Sequence, residues 1–173
     1  MLKEFKKIYE KGYSMNLNGD NLITDTIANS CEETQSLGEK IGKKIKDKII
    51  LALTGELGSG KTSFVQGLAK GLEIPEKFYI TSPTYSIIHE YPGRIPLFHI
   101  DLYRLADEDD IFDTGLYEIL DRFGVFAIEW PDLLKNDFPD KYLAVHFEIT
   151  GDDIRKINIT AHGDDAAGLI NDL

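Results

Sequence analysis

Hydrophobic positions in this chain fall either into short continuous runs or into stretches of helical spacing. The run Ile49-Ile50-Leu51-Ala52-Leu53-Thr54 is apolar almost throughout, and the segment 124–130 has the same character. Continuous runs of this length are typical of strands that a parallel sheet buries on both faces. The sequence therefore predicts two buried parallel strands, together with a short edge strand at 21–27.

Two further pairs of strands are predicted as hairpins. Their turns contain Pro92-Gly93 in one case and Gly151-Asp152-Asp153 in the other, and these residue types favour a reversal of the chain. The strands of the two hairpins are expected at 85–91 with 95–101 and at 142–150 with 154–161. The sheet should therefore be mixed, with a parallel core and antiparallel additions.

Helical spacing of apolar residues predicts helices between these strands. Ser30 and Glu33 form a possible capping box at the start of the first helix. The third helix would turn Phe112 and Leu116 inward. The predicted helices extend from Ser30 to about 46, over 62–72, over 107–121, and from about 164. The expectation is a three-layer α/β domain at 21–173, preceded by an extension at 1–20.

Composition and charge narrow the class of protein. The chain has 173 residues, of which 42% are hydrophobic and 28% charged, as in a globular domain. A net charge of −11 argues against a surface that grips nucleic acid by itself, because phosphate affinity comes from clustered Lys and Arg. No apolar run reaches transmembrane length, and the charged N-terminus lacks a signal-peptide core. With one cysteine, Cys31, a cytoplasmic location without membrane contact is expected.

The candidate chemistry begins at residues 55–62, Gly-Glu-Leu-Gly-Ser-Gly-Lys-Thr, which match the phosphate-binding pattern G-x-x-x-x-G-K-[ST]. The three glycines allow a tight turn that aims backbone N–H groups at a polyphosphate. Lys61 is expected to reach the β- and γ-phosphates, and the Thr62 hydroxyl to bind Mg²⁺. Because a predicted strand precedes the loop and a helix follows it, the motif predicts a P-loop NTPase-like fold that binds a nucleoside triphosphate.

Two predicted strands end in a carboxylate, Asp101 in one case and Glu129 in the other. Nucleotide sites of this type need acidic groups at the carboxyl ends of neighbouring strands, so either could serve as the Walker B residue. His99, two residues before Asp101, would point to the same face of its strand. A packed or hydrogen-bonding core histidine is favoured over a His-x-Asp metal site, because Mg²⁺ prefers oxygen ligands.

Motifs that other nucleotide-binding classes require are absent from the sequence. There is no Asn-Lys-x-Asp for guanine and no Leu-Ser-Gly-Gly of transporter ATPases, and few arginines remain for a kinase lid. Hydroxyls at 81–85 could belong to a switch loop, although turn chemistry explains them as well. A phosphotransferase and a nucleotide-dependent switch therefore stay open beside a hydrolase. The candidates for charge stabilisation are Arg94, Arg104, Arg122 and Arg155.

Several strings of residues occur together in this chain. They are Glu33-Thr34, the loop 55–62 with Ser63, Ser82-Pro83-Thr84-Tyr85, Phe-His-Ile-Asp-Leu-Tyr-Arg-Leu at 98–105, and Ile-Glu-Trp-Pro at 128–131. In this combination the chain resembles the TsaE (YjeE-like) family, the ATPase of bacterial tRNA threonylcarbamoyladenosine biosynthesis. The resemblance extends from about residue 33 to 163 and leaves residues 1–20 outside.

The resemblance implies an ATPase that uses ATP and Mg²⁺. Lys61, Thr84, Asp101 and Glu129 would take part in catalysis, with Thr62 and Glu129 holding the metal. Contacts to ATP are implied for Gly55, Glu56, Leu57, Gly58, Ser59, Gly60, Lys61, Thr62, Ser63 and Trp130, and at the adenine end for Thr34 and Arg155.

Partners are also implied by the resemblance. Proteins of this family act with the TsaB–TsaD complex, which transfers a threonylcarbamoyl group to adenosine 37 of tRNA, and they hydrolyse ATP weakly alone. Contact with tRNA would run through these partners, which agrees with the acidic composition of the chain.

Overall fold

The computed structural model describes residues 21–134, 138–171 and 173, and it places seven strands of that part of the chain in one sheet. The strands are β1 (Asn21–Ala28), β2 (Ile49–Gly55), β3 (Ile88–Tyr91), β4 (Leu97–Asp101), β5 (Val125–Glu129), β6 (Tyr142–Ile149) and β7 (Arg155–His162). The extension predicted at 1–20 lies outside the described residues.

The order of strands across the sheet is β1-β7-β6-β2-β5-β4-β3. Strand β2 pairs in parallel with β5 and β6, and β4 pairs in parallel with β5. Antiparallel pairs add β7 and β1 on one side and β3 on the other. The predicted mixed sheet with a parallel core is confirmed. Its parallel strands bring their carboxyl ends to one edge, where ligands of open α/β sheets usually bind.

Helices cover both faces of this sheet. They are α1 (Cys31–Lys44), α2 (Lys61–Gly71), α3 (Glu108–Asp113), α4 (Leu116–Leu120) and α5 (Asp164–Ile170), with a 3₁₀ turn at Pro131–Leu134. Because side chains alternate along a strand, Leu51 and Leu53 of β2 join the core under α1 and α2, while Ile50 joins the core under α3 and α4. None of the helices within the described ranges has the length and apolar character needed to cross a membrane.

Close packing of α1 against α2 fixes the position of the loop before α2. A Cβ at Gly38 of α1 would lie 2.2 Å from the carbonyl oxygen of Phe64, and a Cβ at Gly67 of α2 would lie 1.8 Å from that of Gln35. Both distances are too short for a side chain, so the two glycines permit the helices to touch backbone to backbone. The packing thereby holds α2 against the sheet.

The first helix begins as predicted and ends earlier. The Ser30 hydroxyl accepts a hydrogen bond from the Glu33 N–H at 3.2 Å, which caps the amino end of α1. The Glu33 carboxylate accepts from the Asn29 N–H at 2.7 Å, and not from the Ser30 N–H as a capping box would require. The helix ends at Lys44 instead of residue 46, because Ile45 is already extended.

The single helix predicted at 107–121 is wrong. Gly115 interrupts it with a φ angle of 70°, a conformation that glycine adopts at little cost, and the segment forms the two short helices α3 and α4. The break changes which residues face the core. Phe112, predicted to face inward, is 69% exposed, whereas Ile111 is fully buried.

Strand β3 begins three residues later than predicted because the preceding segment forms a turn. The Ile87 N–H donates to the Pro83 carbonyl oxygen at 2.6 Å, and Ile87 has a φ angle of 66°. That angle is unusual for a β-branched residue. The Ile87 carbonyl oxygen accepts from the Asp101 N–H at 3.0 Å, which ties the turn to the end of β4.

Candidate functional site

The loop between β2 and α2 presents the amino end of α2 at the carboxyl edge of the sheet. Gly55, Gly58 and Gly60 have φ angles of 138°, 77° and 107°, which only glycine adopts readily. A Cβ at Gly55 would also lie 2.4 Å from the Phe147 carbonyl oxygen. Gly60 supplies no side chain to cap α2, so the first turn of the helix presents N–H groups to an anion.

A cavity of about 300 Å³ lies in front of this loop. It is bounded by the loop, by the ends of β4 and β5, and by the turn before β3. Its lining residues are Leu57, Gly58, Gly60, Lys61, Thr62, Ser63, Ser82, Thr84, Asp101, Tyr103, Glu129 and Trp130. The phosphate-loop motif and both strand-end acids of the sequence therefore meet in one cavity.

Lys61 is the first residue of α2 and is only 4% exposed. Its Nζ donates hydrogen bonds of 2.9 Å to the carbonyl oxygens of Gly55 and Glu56 and lies 4.2 Å from the ring centre of Trp130. Burial lowers the pKa of Lys61, and the two acids of the cavity oppose that shift. Since neither the carbonyl oxygens nor the ring neutralises the ammonium charge, that charge is available to an anion.

Glu129 ends β5 with its carboxylate almost fully buried. Thr62 Oγ1 donates to Glu129 Oε1 at 2.8 Å, and His99 Nε2 lies 2.8 Å from the same oxygen. His99 is itself fully buried, and within the described part of the chain its Nδ1 has no hydrogen-bond partner. The predicted buried, hydrogen-bonding histidine is confirmed.

Asp101 ends β4 and is paired in register with Glu129 of β5. Its Oδ2 accepts hydrogen bonds from Ser82 Oγ at 2.5 Å and from Thr84 Oγ1 at 2.8 Å. Its Oδ1 accepts from the Tyr103 N–H at 3.0 Å. Both oxygens of this carboxylate are therefore held in fixed directions at the wall of the cavity.

Thr62 and Glu129 carry oxygen donor atoms of the kind that binds Mg²⁺. They offer a hydroxyl and a carboxylate oxygen 2.8 Å apart. Mg²⁺ is usually held by one or two carboxylates, with phosphate oxygens and water as the other ligands. The described ranges contain no cluster of three or more His, Cys, Asp or Glu side chains that could hold a metal ion. The pair therefore fits an Mg²⁺ ion that arrives with a nucleotide.

Five predicted site residues do not line the cavity. Gly55 and Glu56 contribute the carbonyl oxygens that accept from Lys61, and Ser59 is buried beneath the loop. Thr34 is 1% exposed, and its hydroxyl donates to the Ser30 carbonyl oxygen. Arg155 lies beside the loop, where it donates to the Gly58 carbonyl oxygen at 3.4 Å. The structure thus places Thr34 and Arg155 next to the loop but outside the cavity.

The four candidate arginines have other contacts. Arg94 donates to the Ile45 carbonyl oxygen, Arg104 lies over the Tyr85 ring, and Arg122 forms an ion pair with Glu90. None of the four is among the residues that line the cavity. Lys61 is the cation that the described chain brings to it.

Sequence reasoning did not place Ser82 or Tyr103 among the site residues, and it gave His99 only the role of a packed or hydrogen-bonding core histidine. Ser82 and Tyr103 line the cavity, and the Tyr103 ring packs 5.0 Å from that of Trp130. Their positions in the sequence could have indicated a place in the site, since Ser82 precedes Pro83-Thr84 and Tyr103 follows Asp101 by two residues. Only the turn before β3, however, brings Ser82 to Asp101.

Comparison with known proteins finds a family model and relatives that carry the same family name. A family model described as threonylcarbamoyl adenosine biosynthesis protein TsaE matches residues 28–157. The proteins named tRNA threonylcarbamoyladenosine biosynthesis protein TsaE from Treponema pallidum and Bacillus subtilis are 36% and 40% identical to this chain, each over 133 residues. These alignments cover 77% and 76% of this chain and 97% and 82% of the relatives.

A solved structure agrees in fold. The crystal structure of Bacillus subtilis YdiB superposes with a TM-score of 0.73 at 31% sequence identity. The superposition covers 88% of this chain and 94% of that one.

Proposed function

The chain belongs to the TsaE family of threonylcarbamoyl adenosine biosynthesis proteins, and from this premise we propose that it hydrolyses ATP to ADP and phosphate for the formation of N6-threonylcarbamoyladenosine in tRNA. One observation carries the proposal. The Thr62 hydroxyl of the phosphate loop lies 2.8 Å from the Glu129 carboxylate, at the amino end of α2. A hydroxyl, a carboxylate and an uncapped helix end together suit the phosphates and metal of a nucleoside triphosphate.

Binding of the phosphates would use the loop and Lys61. The N–H groups at the start of α2 would donate to phosphate oxygens. The Lys61 ammonium would exchange its two carbonyl acceptors for phosphate oxygens, which are stronger acceptors because they are charged. The remaining cavity residues of the loop, Leu57, Gly58, Gly60 and Ser63, would border the same phosphates.

Thr62 and Glu129 would hold the metal. When bound there, Mg²⁺ would offset the negative charge that develops on the phosphate oxygens during transfer. Asp101 would accept a hydrogen bond from the attacking water and orient it in line with the γ-phosphate, while Thr84 would keep the Asp101 carboxylate in place. Trp130 would close the side of the site above Lys61.

Partners are part of the proposal. The chain would act with the TsaB–TsaD complex in the cytoplasm, and tRNA would be held by those partners, because the net charge of −11 repels a phosphate backbone. Residues 21–173 would form the catalytic domain and residues 1–20 an extension to it. Adenine contact by Arg155 stays a prediction.

Hydrolysis is tested by incubating the protein with Mg²⁺ and ATP, with and without TsaB and TsaD, and measuring free phosphate. Lys61→Ala is expected to weaken ATP binding by about tenfold or more, since it removes a charged hydrogen-bond donor, and phosphate release should fall with it. Lys70→Ala is the matched control, because Lys70 lies on the exposed side of α2 and bonds to Gln35. Isothermal titration calorimetry measures the binding.

Two results would contradict the proposed function. A phosphorylated small-molecule acceptor in place of free phosphate would indicate that the protein is a phosphotransferase, that is, a kinase. Normal phosphate release by the Lys61→Ala protein would mean that this loop is not the site of hydrolysis.

A further inference from the structure

One oxygen of the Glu129 carboxylate accepts two hydrogen bonds, from residues of two different elements. Thr62 Oγ1 reaches Oε1 from α2, and His99 Nε2 reaches the same atom from β4, each at 2.8 Å. The Thr62 hydroxyl lines the cavity, whereas His99 is fully buried behind it. His99 therefore contacts the carboxylate from the protein interior and not from the side of a ligand.

The hydrogen-bonding pattern of His99 specifies its tautomer. A carboxylate oxygen only accepts hydrogen bonds, so Nε2 must carry the hydrogen. Nδ1 has no partner among the described residues, and a hydrogen there would be a buried donor without an acceptor. The arrangement thus places a hydrogen on Nε2, which donates it to Glu129.

We infer that His99 is a positioning residue, which sets the direction of the Glu129 carboxylate for metal binding. The inference rests on the proposed function, because it takes Glu129 as a ligand of Mg²⁺. Groups that hydrogen-bond to a metal ligand from behind orient it, and their loss typically lowers metal affinity or activity 10- to 100-fold. His99 has the burial and the distance for that role.

Lys61 is the group that the Glu129 carboxylate would contact if its direction were not fixed. Its ammonium group is close enough for Glu129 to affect its pKa, yet it donates to the Gly55 and Glu56 carbonyl oxygens. Without the hydrogen bond from His99, only Thr62 would hold Oε1, and the carboxylate could turn its other oxygen towards Lys61 to form an ion pair. That pair would occupy a metal ligand and a phosphate-binding charge at once. His99 keeps the two groups apart for their separate partners.

Three substitutions separate this role from simple packing. His99→Gln can place an amide N–H near the position of Nε2, and His99→Asn has the same amide but reaches only as far as Nδ1. His99→Leu fills the space without a donor. If His99 only filled the core, His99→Leu would keep the metal-dependent affinity, since it fills the space, whereas a positioning role requires the donor that only His99→Gln retains.

The readout is the affinity for ADP, measured by calorimetry with Mg²⁺ and again with EDTA, alongside the thermal unfolding midpoint. The wild type and His99→Gln are expected to bind ADP more tightly with Mg²⁺ than with EDTA. His99→Asn and His99→Leu should lose about 10- to 100-fold of that metal-dependent gain. Their affinity in EDTA should fall by less than this, because only the Lys61 ammonium would be lost to the ion pair and the rest of the phosphate loop is unchanged.

The possible failures are distinguishable. If the wild type gained nothing from Mg²⁺, the proposed metal role of Glu129 would fail, and the role of His99 with it. If the wild type gained affinity and His99→Asn and His99→Leu kept that gain, only the role of His99 would be overturned. Long-range ¹H–¹⁵N NMR of the wild type tests the tautomer without any variant. Hydrogen on Nε2 is expected, and hydrogen on Nδ1 alone would overturn the inference.

Discussion

Asp101, taken as a single side chain, has its direction set by three donors. The hydroxyls of Ser82 and Thr84 bind one carboxylate oxygen, and the Tyr103 N–H binds the other. None of these three donors carries a positive charge, and the carboxylate oxygens keep further acceptor capacity. Such a group suits the orientation of a water molecule better than the binding of an anion.

Asp101→Asn is therefore expected to lower the rate of ATP hydrolysis about 100-fold or more while leaving ATP affinity nearly unchanged. The amide keeps the shape of the side chain, but its nitrogen cannot accept hydrogen bonds. Phosphate release in the presence of TsaB and TsaD gives the rate, and calorimetry gives the affinity. Asp132→Asn, at an exposed position shortly after Glu129, is the matched control. Unchanged turnover would remove Asp101 from the mechanism.

Individual site residues were predictable where a motif fixes their local geometry. The pattern at 55–62 indicates the strand before it and the helix after it, so the positions of Lys61 and Thr62 could be predicted without knowledge of distant contacts. Ser82 and His99 act through partners on other strands, at distances that depend on strand order and on the turn before β3. A single sequence carries no direct signal for such contacts.

Among the elements, the packed helices α1 and α2 connect the hydrophobic core with the phosphate-loop cavity. The helices approach closely through Gly38 and Gly67, and α2 begins with Lys61 and Thr62 of the cavity. Any displacement of α2 would therefore move two site residues together. The glycines affect nucleotide binding through this packing, although neither lines the cavity.

Gly67→Ala is expected to lower the free energy of unfolding by about 1–3 kcal/mol, as overpacking of a core does, because its Cβ would lie 1.8 Å from the Gln35 carbonyl oxygen. ATP affinity should also fall as α2 shifts. Gly168→Ala is the control, since a Cβ in α5 meets nothing within 4 Å. That change should be neutral or stabilise the protein by up to about 1 kcal/mol. Urea denaturation measures both, and equal effects would refute the close-packing explanation.

Element prediction succeeded where hydrophobic pattern and turn residues agreed. The buried strands β2 and β5 and the hairpin of β6 and β7 lie where continuous runs and glycine-rich turns predict them. The prediction of one helix at 107–121 was wrong because the apolar spacing of this segment suits a single helix. The break comes from the positive φ angle of Gly115, which the sequence does not show. The start of β3 was missed because the turn at 83–87 depends on a bond to the end of β4.

For the molecule as a whole, partly buried histidines make stability depend on pH. Burial lowers the pKa of His89, His146 and His162. In the unfolded chain these groups return to about 6.5, so the unfolded state takes up protons first as the pH falls. The free energy of unfolding should be highest above pH 7 and decrease as the pH is lowered through 6.5 towards the folded-state values.

His162→Phe is expected to reduce this pH dependence. The phenyl ring can keep the stacking on Tyr142, where the ring centres are 4.1 Å apart, while the titrating group is lost. Urea denaturation of both proteins between pH 7.5 and 5.5 measures the difference. An unchanged slope would mean that the folded protein protonates His162 as easily as the unfolded chain does.

The pairing of β1 with β7 has a consequence for synthesis of the protein. Asn21 pairs with His162, so the first described strand needs a partner that the ribosome makes after the other strands of the described sheet. The phosphate loop, α2 and the strands β4 and β5, which end in Asp101 and Glu129, are complete well before that. A nascent chain can thus form its nucleotide-binding half while β1 still waits unpaired, exposed to other strands. Synthesis of β7, and not of the phosphate loop, would be the step that completes the sheet.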